Sequence, residues 1–469
     1  MADPDLLTIL RGRIVAPAGC GKTELLARAL ARHDDAKPIL VLTHTNAGVA
    51  AMRSRLSRAK VPTGAYRLAT VDGWAMRLIG TFPLRAGHDP AILTGRFPNY
   101  VAIRRAAAAL VAAGHVNDVV QGSYSRLFVD EYQDCSNLQH TLIAWLSEIL
   151  PTVIVGDPMQ AIFGFDANDR LAGWDADVCS RFPLAGTLVD PWRWTNAGAE
   201  PLGRWLLASR AELEAGRKVD LRQAPPHVQW IPMDGTGADH ARRLSAGRTP
   251  SPVAEGNVLI IGDSRNPAGQ QAFASQTPGA VTVEAVDLKD LVAFAEGLDL
   301  TAAQATDSVV DFAQKLMTNV GAAAMMQRLA TLRAGRARNP ATAAETAALE
   351  FEADRCHARI ANLLAELNKQ SEVRVYRPAV LRACMQALQR CGQQDIGFAQ
   401  AAVSMREEYR LVGRALPRRA VGSTLLLKGL EADVAVILHA DELDARNLYV
   451  AMTRGSRKLV VCARSPTIG

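Results

Sequence analysis

The chain of 469 residues has no CxxC pair, and its seven cysteines (Cys20, Cys135, Cys179, Cys356, Cys384, Cys391 and Cys462) are scattered. That pattern suits reduced thiols and argues against a disulfide or zinc framework. No apolar run approaches the roughly 20 residues of a membrane span, so no transmembrane segment is expected. The first residues carry Asp3 and Asp5 and no apolar stretch, so a secretory leader is not expected and the chain reads as cytoplasmic. Internal repeats, a long low-complexity linker and a recognisable nuclease motif are also missing. What is present is ample core material, with 49% hydrophobic residues. The length suits two to four domains. The net charge of +6 and pI of about 9.0 fit a polyanionic partner. They fit equally a basic protein that has none.

Strand-like and helix-like segments alternate in the first part: "GRIVAP" then "GKTELLARALAR", "PILVLTH" then "AGVAAMRSRL", "SRLFVDE" then "NLQHTLIAWLSEIL", then "PTVIVGD". Such alternation predicts a parallel sheet covered on both faces. The stretch from about 75 to 125, with its Ala-rich "RRAAAALVAAG", interrupts the rhythm as a small insertion. A second alternating region carries "GTLVD", "HVQWIPM" and "NVLIIGDS". From about 288 to 414 the pattern is almost wholly helical, with Leu349, Cys356, Ile360, Leu363 and Leu367 spaced as on one long helix. Alternation returns with "GSTLLLKG", "ADVAVILHA" and "KLVVCAR". The expected fold is α/β, with two parallel-sheet domains that each carry a mostly helical insertion.

Two local patterns carry chemistry. "APAGCGKT", from Ala16 to Thr23, follows a strand and opens a helix, the context of a phosphate-binding loop. Its glycines, Gly19 and Gly21, let the amides of Ala18, Gly19, Cys20 and Gly21 approach phosphates, and the helix N-terminus adds positive partial charge. Lys22 would reach the β and γ phosphates and Thr23 would ligate magnesium. The second pattern is "LFVDEYQDCS", an apolar strand that stops at acids. Buried carboxylates require a cation or donors. With Mg²⁺ and ATP as that cation, Asp130 would hold the metal and Glu131 would orient and deprotonate the attacking water. Asp134 and Ser136 read equally well as a helix N-cap cluster. In "VGDPMQAIFGF", Gln160 is placed to sense the γ-phosphate.

These segments, with "LTHTNAGVAAMRSRL", "LVDPWRWTN", "LLLKGLEADVAVI" and "NLYVAMTRGSRKL", occur in an order that resembles the UvrD/Rep group of superfamily 1A DNA helicases, from Ala16 to Val461. The resemblance implies two RecA-like domains with ATP between them and 3′ to 5′ movement along single-stranded DNA. It implies domain 1A at 1–74 and 126–185, insertion 1B at 75–125, domain 2A at 186–287 and 415–469, and insertion 2B at 288–414. It makes Arg193 and Arg454 arginine fingers, Trp192 an adenine-stacking ring, and Gly429 and Glu431 contacts to γ-phosphate and ribose. Thr45 and Asn46 match a DNA-backbone strip. Phe163 and Phe165 occupy base-stacking positions, with core packing as the alternative.

The sequence also departs from that group. No upstream Gln stands to read adenine, and Glu24 replaces an adenine-stacking Arg, so looser base selection is expected. Asp166, Leu425 and His44 stand where Arg, His and Phe are usual. The compact insertions and the segment "TVDGWAMRLI" resemble the helicase subunit of Gabija-type antiviral systems. That likeness implies a role in bacterial antiviral defence with a partner nuclease of OLD-family type. A second reading is therefore a DNA-end-sensing ATPase that activates this nuclease with little unwinding of its own, and an RNA helicase is a third. Arg328, Arg333, Arg336 and Arg338, and Arg414, Arg418 and Arg419, are either phosphate contacts or solvated faces. His357, Met325 and Met326 read as packing residues.

Overall fold

The computed structural model describes residues 3–94, 98–163, 168–285, 287–394, 396–411 and 417–469. The chain divides into two compact units, Met1–Pro232 with Ala440–Gly469, and Met233–His439.

The first unit is built on β1 (Arg11–Val15), β2 (Ile39–Thr43), β3 (Tyr66–Thr70), β4 (Arg126–Val129), β5 (Thr152–Gly156) and β6 (Leu184–Thr187). They form one sheet in the order β3-β2-β4-β5-β1-β6, and every pairing is parallel. Both β2 and β5 are buried at all five residues, which explains why they read as continuous apolar runs rather than alternations. Helices α1 (Lys22–Ala31) and α2 (Asn46–Arg58) cover one face. There Leu25, Leu26 and Leu30 pack with Ile14, Val41 and Val155, each such side chain contributing about 1.5–3 kcal/mol.

Five helices fill the stretch between β3 and β4: α3 (Val71–Thr81), α4 (Pro83–Ala86), α5 (Ala91–Thr94), α6 (Tyr100–Ala112) and α7 (Asn117–Ser123). This expected insertion has no core of its own. Ile79, Ile103 and Leu110 share one cluster with Leu40, Leu127 and Ile154 of the sheet. After β4 comes α8 (Asn137–Leu146), started by a capping box between Ser136 and Gln139. Next are α9 (Cys179–Arg181), α10 (Trp192–Asn196) and α11 (Glu200–Glu214). The strand Gly455–Ala463 pairs in parallel with Val228–Pro232.

Because β1 to β5 all run the same way, the segments after β1, β4 and β5 emerge at one edge of the sheet. Those three strands are neighbours, in the order β4-β5-β1. The carboxyl edge is where open α/β sheets bind ligands.

The second unit combines a parallel four-strand arrangement, Val281–Thr282, Arg419–Gly422, Val258–Ile261 and Ala432–Ile437 in spatial order, with a helical body. Two expectations fail here. The single long helix is two, Ala343–Ala353 and His357–Asn368. Cys356 is extended (φ −129°, ψ 163°) and starts the second one, so the apolar spacing carries across a break in the backbone. The "TLLL" of "GSTLLLKG" is a helical turn, Thr424–Leu427, because the Ser423 hydroxyl accepts from the Leu426 amide. Ile360, Leu363 and Leu367 do line the helical core, as expected. His357 lies against Phe398 and Met325 is buried.

Candidate active site

The loop after β1 turns twice through the left-handed region, at Gly19 (φ 71°) and Gly21 (φ 86°). A Cβ on Gly19 would meet the Trp194 ring at 2.5 Å, and one on Gly21 would meet Trp192 at 3.1 Å. Both positions therefore need glycine for conformation and for space. The loop is held from outside at two points. The Arg193 amide donates to the Gly19 carbonyl (3.0 Å). The Ala18 amide donates to the Tyr449 hydroxyl (3.1 Å). Cys20 lies buried inside the loop. Burial first, then Asp157, pushes its thiol up to about 12, so it stays protonated at neutral pH.

Lys22 opens α1 and Thr23 follows it. The Lys22 ammonium lies 2.5 Å from Glu131 Oε1 and 3.7 Å from Asp130 Oδ1. Burial alone would lower this ammonium, but the carboxylates of Glu131 and Asp130 outweigh it and hold Lys22 above its usual range. Burial pushes Asp130 up to about 6, with Lys22 working against the rise and Glu131 adding to it. Lys22 of this chain is thus one positive partner of Asp130 and Glu131. Glu131 sits in the left-handed region (φ 55°), and its second oxygen accepts from Gln133 Nε2 (2.5 Å).

The oxygen donors of Asp130 and Thr23 suit a hard divalent cation that also takes phosphate oxygens and waters. Among the described residues no group of three His, Cys, Asp or Glu residues can hold a metal. A magnesium ion here would take its remaining ligands from phosphate oxygens and water.

After β5, Gln160 Nε2 donates to Asp157 Oδ2 (3.1 Å). Asp157 is fully buried. Arg193 Nη1 donates to the Thr453 carbonyl (2.6 Å). The neighbouring Arg454 donates from Nη2 to the Thr453 hydroxyl (3.0 Å) and from Nε to the Val450 carbonyl (2.8 Å). The two arginines, 261 positions apart by their numbers (454 − 193), meet at Thr453. Trp192, nearly half exposed at 48%, lies over Gly21 with an open face.

The remaining sequence candidates lie on other segments of the chain. Gly429 (φ 81°) and Glu431 belong to the second unit, in the turn before Ala432–Ile437. The Thr45 hydroxyl accepts from the Gly48 amide (3.0 Å) as the cap of α2, and Asn46 is exposed at its first position. Phe163 is half-buried, with its ring 5.6 Å from that of His44. Phe165, Asp166 and Arg414 lie outside the described residues. Arg328 contacts Glu345 and Arg333 pairs with Glu352. Arg418 pairs with Glu255, and Arg419 donates to the carbonyls of Gly247 and Thr249. Arg336 and Arg338 are exposed.

Sequence reasoning gave Gln133 and Tyr449 no role, although both stand inside quoted motifs. It missed Arg210, which no local pattern announces.

Residues 11–166 match the AAA domain family, a span that takes in the phosphate loop, the acids after β4 and Gln160. No curated protein matches. Among solved structures the chain is similar to an arterivirus nonstructural protein 10 (helicase) solved with DNA, at 12% identity and a TM-score of 0.30. That match covers 58% of this chain and 53% of the other, so it spans about half the length of the arterivirus protein. The chain is also similar to the Pif1 helicase from Candida albicans, at 10% identity over 98% of this chain and 93% of that one, with a TM-score of 0.41. Among the described residues no helix is long and apolar enough to cross a membrane.

Proposed function

We propose that the protein is an ATP-driven translocase and helicase that works 3′ to 5′ on single-stranded DNA or DNA ends. The observation that carries the reading is the grouping around one glycine loop of a lysine, two acids, a glutamine and two arginines. In this reading the triphosphate draws the Lys22 ammonium away from Glu131. The freed carboxylate, held by Gln133, then orients and accepts a proton from the attacking water. Thr23 and Asp130 would hold the magnesium, which neutralises phosphate charge when bound. Arg193 and Arg454 stabilise the charge that develops at the γ-phosphate, and Trp192 stacks on the base. His44 and Phe163, at the ends of β2 and of the Gln160 segment, supply rings on which bases stack.

The test is ATP hydrolysis with and without single-stranded DNA, beside strand displacement on 3′- and 5′-tailed duplexes. DNA-stimulated hydrolysis with displacement from the 3′ tail supports the proposal. Stimulated hydrolysis with no displacement on any substrate would leave a DNA-sensing ATPase. Absence of hydrolysis sinks the reading. The antiviral role beside a nuclease extends the proposal by resemblance, and co-purification with the product of the neighbouring gene tests it.

A further inference from the structure

Asp157, the first residue after β5, has more partners than a phosphate sensor's neighbour needs. Its Oδ1 accepts from Arg210 Nε (3.0 Å), from Arg210 Nη2 (2.7 Å) and from the Met159 amide (3.1 Å). Its Oδ2 accepts from Gln160 Nε2 (3.1 Å). Its own amide donates to Gln133 Oε1 (3.1 Å), and Gln133 Nε2 donates to Glu131 Oε2 (2.5 Å). The third nitrogen of Arg210, Nη1, donates to Glu214 Oε2 (2.7 Å). A continuous hydrogen-bonded chain therefore runs from α11 through Arg210 and Asp157 to Gln160 on one branch. On the other it runs through Gln133 to Glu131.

We propose that Arg210 is a positioning residue for hydrolysis. Through Asp157 it sets Gln160 and, by way of Gln133, Glu131. It also ties both to α11, the helix that follows the Arg193 segment. Three observations carry this. Asp157 is fully buried, so its charge requires the guanidinium. Arg210 places two nitrogens on one carboxylate oxygen and the third on Glu214, a fork that a lysine cannot reproduce. And Arg193 stands in α10, joined to α11 by a short turn at Gly198 (φ 73°), so the segment that carries Arg193 and the helix that carries Arg210 are consecutive in the chain. Without that fork the carboxylate would no longer fix the Gln160 amide, and a shift of Asp157 would carry with it the backbone amide that holds Gln133; small misplacements at a reacting centre are costly.

The inference rests on the ATPase reading, so the experiment carries Lys22→Ala in parallel. Arg210→Lys in the full chain keeps the buried charge. Its expected signature is a Tm near wild type, a KM for ATP within about twofold, and kcat lowered by about tenfold or more, with weaker stimulation by single-stranded DNA. A folded Arg210→Lys with unchanged kcat, or a loss expressed in KM alone, overturns the inference while leaving the ATPase reading intact. An inactive wild type, or an active Lys22→Ala, sinks the ATPase reading instead. If Arg210→Lys fails to fold, hydrogen exchange on the wild-type chain decides. A non-hydrolysable ATP analogue should protect residues 157–160 and the last turn of α11 together. Protection of 157–160 with no change in α11 overturns the proposal.

Discussion

Lys22 has two acidic partners in this chain, and in the proposed function a triphosphate would compete with them for it. Lys22→Ala should abolish hydrolysis and also lower Tm, because it removes the ammonium that the buried Asp130 shares with Glu131. Adding Glu131→Gln should restore Tm without restoring turnover. Recovery of both together would show that Lys22 acts only on stability. Glu131→Gln alone should bind ATP and turn over poorly. Arg193→Ala and Arg454→Ala should each lower kcat by about 10³ with little change in ATP affinity, since a finger neutralises transition-state charge. A variant altered in the Michaelis constant alone places that arginine outside the catalytic shell. Gly19→Ala should cost about 2–5 kcal/mol, the left-handed strain of about 1–2 added to overpacking of about 1–3 against Trp194. A denaturant midpoint within error of wild type would show that the loop relaxes.

At the scale of elements, α8 carries a pH-sensitive contact. His140 Nδ1 lies 2.8 Å from the Tyr132 hydroxyl. Burial lowers the His140 pKa below the usual 6.5. A histidine depressed in the folded state contributes stability above the unfolded value, and that contribution is lost as pH falls from about 6.5 toward the depressed value. Asp130 works the other way. Pushed up to about 6 from an ordinary 3.8, it favours the folded state below 3.8 and loses that effect as pH rises through 6. The two slopes oppose one another, so the His140 part is isolated by difference. Chemical denaturation of wild type and His140→Gln between pH 5 and 7 should give a flatter profile for the variant below 6.5. Parallel profiles would remove the assignment.

Much of this scale was legible in the sequence, because strand, glycine loop and capped helix each leave a local mark. The alternation of apolar runs located β1, β2, β4 and β5, and the motifs singled out Lys22, Asp130 and Glu131, which lie together in the structure. What stayed hidden depends on pairs far apart in sequence. Arg210 meets Asp157 across 53 positions, and Tyr449 meets Ala18 across 431. The break at Cys356 escaped for another reason, since the backbone turned without disturbing the apolar period.

For the whole molecule the question is where the excess positive charge is available to a polyanion. A net charge of +6 is compatible with a polyanionic partner, but most of the basic candidates already have partners. Arg328 and Arg333 meet acids, Arg418 pairs with Glu255, and Arg419 caps the carbonyl end of Ala238–Gly247. Arg336 and Arg338 are exposed at the tip after the helix Ala322–Arg333. Each phosphate neutralised on a single strand contributes about −0.7 to the slope of log K against log salt. If the exposed pair binds the strand, Arg336→Ala with Arg338→Ala should make that slope shallower by about 1.4 and leave Tm unchanged. Arg419→Ala should do the reverse, lowering Tm through the freed carbonyls while the slope stays as it was. The measurement is single-stranded DNA affinity by fluorescence anisotropy over a salt series, with thermal unfolding on the same samples. An unchanged slope in the double variant would remove this tip from the DNA path and turn attention to the rings of His44 and Phe163, whose stacking contribution is far less sensitive to salt.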